Sequence, residues 1–70
     1  MLYPVIFYTG GYLRGEWRRT VPAHTREAAD ALVADLERMG TPALVWEGDA
    51  LPEGAPSWWD FKTLQPKRRA

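Results

Sequence analysis

From Leu2 to Thr9 the chain is a run of β-branched and aromatic residues without helix-capping signals. That pattern predicts a strand, with Pro4 near its start. Gly10-Gly11 follows, and consecutive glycines permit the positive φ angles of a two-residue hairpin turn. Beyond the turn, Tyr12 to Val21 alternates. Leu13, Trp17 and Val21 fall on one side, and Tyr12, Arg14, Glu16, Arg18 and Thr20 on the other, which predicts a second strand that Pro22 ends. A two-residue turn pairs Tyr8 with Leu13 and is favoured because the glycines are adjacent. A three-residue turn slips the pairing by one and exchanges Ile6 and Tyr8 for Val5 and Phe7 on that face.

The period then changes to that of a helix. Thr25 is placed to accept from free N–H groups as the N-cap, and Glu27 suits the positive end of the helix dipole. Ala29, Leu32, Val33, Leu36 and Met39 form one apolar stripe, with Arg26, Asp30, Glu37 and Arg38 on the wet side. Gly40 is a left-handed stop, and Pro42 forbids continuation. Ala43 to Glu47 predicts a short third strand.

The order β-β-α-β predicts an α+β fold. A right-handed crossover through the helix brings the third strand beside the first, giving a three-stranded antiparallel sheet of order 2-1-3 with the helix on one face. The first strand is apolar on both sides, as a central strand should be. One of its faces therefore needs a cover other than the helix.

The last third supplies it. Gly48 to Pro56 reads as an ordered loop, and Ser57-Trp58-Trp59-Asp60-Phe61-Lys62-Thr63-Leu64 as a Trp-rich segment packing back over the sheet. Ser57 with Asp60 three residues on imitates a capping box, so one or two helical turns compete there with a short strand. Residues 1–64 are expected to form a single domain, and 65–70 a short basic tail. Trp58 and Trp59 are adjacent and cannot both point the same way. Either both pack into the core, or one closes it and the other stays partly exposed, where tryptophan is an enriched hot-spot residue.

Composition narrows the chemistry. The chain has 70 residues, 46% of them hydrophobic, with four Trp but no Cys, which removes disulfides and thiolate chemistry. Nine basic and nine acidic residues cancel. Their distribution does not: residues 27–60 carry eight acids against Arg38, while the segments on either side are basic. The opening run Met1 to Tyr8 is too short to span a bilayer and lacks a basic flank or cleavage site, so a soluble, cytoplasmic protein without a membrane partner is expected.

Catalytic sets are missing from the sequence. His24 is the only histidine and Ser57 the only serine, and a nucleophile needs a base with an orienting partner. One His among scattered carboxylates is a poor zinc site, and Glu47, Asp49 and Glu53 lack calcium-loop spacing. Gly10 and Gly15 match the glycine spacing of a phosphate loop, but Glu16 stands where its lysine belongs. No catalytic residue, cofactor or metal is expected.

The expectation is a noncatalytic module that binds a larger protein or protein complex, or a second copy of itself. Small accessory or inhibitor proteins of phages and mobile elements fit that description. The alternative is nucleic-acid binding through an Arg-rich hairpin face with phosphate contacts and stacking, assisted by the basic tail. Trp58, Trp59, Tyr12, Arg14, Arg18 and Arg19 are the candidate contact residues.

Overall fold

A computed structural model describes residues 1–67. Five strands and one helix follow the chain as β1 (Val5–Thr9), β2 (Glu16–Arg19), α1 (Arg26–Arg38), β3 (Ala43–Val45), β4 (Trp59–Asp60) and β5 (Gln65–Pro66). The first three-stranded sheet has order β2-β1-β3, antiparallel at both seams. This is the predicted α+β topology. A second, two-stranded sheet pairs β4 with β5.

The helix forms where its local signals lie. Thr25 has extended backbone geometry, and its hydroxyl accepts from the Ala28 N–H at 3.0 Å. Gly40 ends the helix at φ +83°, a left-handed conformation that glycine adopts without a steric penalty. Ala29 is its one fully buried side chain; Met39, at the far end of the expected stripe, is exposed. Met39 is the C-cap, so its side chain leaves the stripe as the backbone turns.

The hairpin departs from the two-residue expectation. Tyr8 pairs with Trp17 and Thr9 with Glu16, so the connection spans residues 10–15. Gly10 and Gly11 both have positive φ, but they open a wider loop. Relative to Tyr8–Leu13 pairing, the register moves by four residues, which keeps the side chains within β2 on their expected faces. Leu13 and Val21, expected on the same side as Trp17, are 87% and 85% exposed because both lie outside β2. Placing Trp17 rather than Leu13 opposite Tyr8 buries a larger apolar surface. Their rings meet edge to face at 5.3 Å.

Alternation along β1 divides the core into two layers. Ile6 and Tyr8 join Trp17 on one face, where Leu44, Trp46, Leu51, Ala55 and Phe61 pack against them. All five of those residues lie beyond the helix in sequence. Val5 and Phe7 point to the opposite face, together with their cross-strand partners Val45 and Ala43. The helix packs on β3 and β1. Thus the helix covers one face, and the C-terminal third covers the other.

That C-terminal cover is not helical. Ser57 and Trp58 form a turn into β4, and residues 61–64 turn into β5. The expected capping box is replaced by a local turn, in which the Lys62 N–H donates to Asp60 Oδ1 at 2.9 Å. Asp60 thereby serves the following turn instead of a helix start. The Lys67 N–H donates to the Trp58 carbonyl at 2.7 Å, extending the small ladder. Of the expected basic tail, Arg68 and Arg69 lie outside the described residues.

Candidate binding surface

Trp58, in the turn, and Trp59, the first residue of β4, take different environments. Trp59 is 1% exposed, whereas Trp58 is 40% exposed. Trp58 stacks on Trp17 at 6.0 Å between centroids and 29° between planes. Trp17 is itself 6% exposed and donates its indole N–H to the Gly54 carbonyl at 3.0 Å. The exposed indole therefore rests on a fixed floor.

Beside it lies a groove of about 500 Å³ whose lining includes Trp17, Trp46, Pro52, Pro56 and Trp58. Trp46 is half-buried and donates its indole N–H to the Ala50 carbonyl at 2.9 Å. This bond spans four residues, so the ring is held by its own loop. The two prolines restrict the loop backbone on the far side. Glu37 from the helix and Glu53 from the loop are the ionisable residues in the lining.

The sequence left Trp46 and Glu37 out of the candidate surface. Trp46 was detectable in principle: two residues after Leu44, it continues the face that meets Ile6. Glu37 falls on the wet helix face by periodicity, yet it is half-buried and lines the groove. Its position depends on where β3 docks against the helix, which helical periodicity does not encode.

Of the expected arginine-and-aromatic face, Arg14 and Arg18 come together at one depression, whereas Arg19 and Tyr12 lie apart from them. Arg18 shares a side of the sheet with Phe7, while Arg19, one residue on, pairs with Ile6 and points to the other. Arg18 donates from Nε and Nη2 to Glu16 Oε1 at 3.0 and 2.6 Å. Arg19 donates from Nη2 to the Asp49 carbonyl and, at 3.4 Å, to that of Gly48, which ties the acidic loop to β2. Arg14 lies in the hairpin loop and borders a depression with Phe7, Thr9, Glu16 and Arg18. Tyr12, in the same loop, instead meets Phe61 edge to face at 4.8 Å. Phe61 belongs to the C-terminal cover, so Tyr12 joins the opposite layer from Arg14 and Arg18.

His24 and Ser57 are both exposed. Among the described residues, no three His, Asp or Glu side chains stand close enough together to hold a metal ion. No helix among them is long and apolar enough to cross a membrane. Asp60 has a carboxyl held below its ordinary value, chiefly by the Lys62 N–H and further by the Thr63 N–H and hydroxyl and the Lys62 charge, against opposing desolvation. That carboxyl is engaged in turn formation. No protein-family model, curated protein or solved structure matches the chain.

Proposed function

We propose that the chain is a noncatalytic binding module that engages a larger protein through the tryptophan groove, with Trp58 as the anchoring contact. The observation that carries this reading is the placement of Trp58, 40% exposed and stacked on the buried indole of Trp17. A large aromatic held in its binding orientation loses little conformational entropy on association, which is why tryptophan is concentrated at interface hot spots. The neighbouring prolines and the anchored Trp46 extend the same preorganised surface. Arg19 lies on the sheet face opposite Arg18, and Arg18 is paired with Glu16, which weighs against a single nucleic-acid-binding face.

A photo-crosslinking residue at Ser57, beside the anchor but outside the core, tests the reading in the native host. The expected result is one discrete protein adduct that survives nuclease treatment and disappears in a Trp58→Ala background. Recovery of nucleic acid as the adduct, or a protein adduct unchanged by Trp58→Ala, would overturn it.

A further inference from the structure

We infer that the tryptophan groove receives an arginine side chain, presented by the partner protein. The inference rests on the proposed protein-binding role of the groove and specifies its chemistry. Trp17 and Trp46 both spend their indole N–H groups on loop carbonyls, at 3.0 and 2.9 Å. With Trp17 only 6% exposed beneath Trp58, the ring surface open to a ligand is that of Trp46 and Trp58, and an aromatic face carries negative potential. Trp58 is the most exposed of the three indoles in the lining.

Charge selects the occupant. Glu37 and Glu53 are in the lining, and no Lys, Arg or His is. The groove is built entirely from residues of the acidic central segment, apart from Trp17. A cation seated against the exposed indole gains both the ring quadrupole and the carboxylates. An acidic ligand meets like charge, and a neutral polar one gains neither term.

Shape and hydration choose between the two basic side chains. The groove is an open cleft with carboxylates contributed from separate elements, helix and loop. A guanidinium is planar, can stack on an indole, and still directs N–H groups sideways to a carboxylate. It also loses hydration more readily than an ammonium. Lysine, a compact and strongly hydrated point charge, cannot combine stacking with forked donation. Arginine is the better occupant on both counts.

Titration of the full chain with short glycine-serine peptides, each carrying three arginines, three lysines or three citrullines, tests this directly. Indole N–H shifts of Trp46 and Trp58 provide the readout. The arginine peptide should move both signals and bind about tenfold more tightly than the citrulline peptide, which keeps the planar shape without the charge. The lysine peptide should fall between them. Glu37→Gln with Glu53→Gln should remove most of the arginine preference while leaving the circular dichroism spectrum unchanged. Equal binding of arginine and citrulline peptides, or shifts confined to residues outside the groove, would overturn the inference. A Trp58-dependent crosslinked protein together with no arginine preference would sink the arginine assignment alone. Nucleic acid at Ser57 would sink the broader reading even where the peptide preference holds.

Discussion

The indole of Trp17 and that of Trp58 lie stacked at 6.0 Å, one in the central hairpin and one at the start of the C-terminal cover. Trp17 belongs to the cluster with Ile6 and Tyr8, while Trp58 remains 40% exposed. A single aromatic pair thus joins the interior to the proposed contact surface. Removing either ring should have different consequences, because only one is inside.

Trp17→Ala should lower stability by about 3–5 kcal/mol, the usual cost of truncating a buried aromatic. Trp58→Ala should cost about 1–2 kcal/mol, from partial burial and the lost stacking contact. Urea denaturation of the two variants measures the difference. A larger loss at Trp58 than at Trp17 would contradict the assignment of core and surface.

Deleting residues 57–70 removes buried Trp59 and also Phe61, whose ring meets Tyr8 edge to face at 6.0 Å. Losing one buried tryptophan costs about 3–5 kcal/mol, a large part of the stability of a small domain. The shortened chain should unfold, dimerise or aggregate, as read by circular dichroism and size-exclusion chromatography. A monomer with unchanged melting temperature would show that these residues do not cover the sheet.

Gly15→Ala should destabilise the hairpin by about 1–3 kcal/mol through overpacking. A Cβ there would come within 2.4 Å of the Tyr8 ring and 2.6 Å of the Gly11 carbonyl oxygen. The ring could shift only by disturbing its contacts with Trp17 and Phe61. Gly54→Ala provides a contrast: its φ of +78° is strained for alanine, but a Cβ meets nothing within 4 Å. Comparing Tyr8 and Trp17 aromatic proton shifts separates the effects, since only Gly15→Ala should move both.

Asp60 should titrate below its ordinary value of 3.8, because the Lys62 N–H bonds preferentially to the carboxylate. Its folded pKa is depressed, so the associated stabilisation is present above the unfolded pKa and lost as pH falls through the folded one. Carboxyl carbon shifts followed from pH 6 to about 2 measure the midpoint. Asp60→Asn should remove this contribution to the acid dependence. A midpoint at or above 3.8 would show that the turn does not hold the charged form.

The helix could be read from neighbouring residues because its determinants act locally. Thr25 needs only the Ala28 N–H three residues away, and Gly40 needs only its own backbone freedom. The exchange of Leu13 for Trp17 opposite Tyr8 is different. Both residues satisfy the same alternation, so face and strand order follow from the pattern while the register does not. The register reflects packing with Phe61 and the Gly54 carbonyl, far along the chain. The same holds at the groove. Adjacency already kept Trp58 and Trp59 from pointing the same way, but whether both pack and which indole turns inward are set by how β4 docks. Glu37 became part of the lining, and Arg18 and Arg19 parted to opposite faces, through packing between distant segments. Local hydrogen bonds and periodicity are written in consecutive residues; docking energies belong to pairs that meet only after the chain has folded.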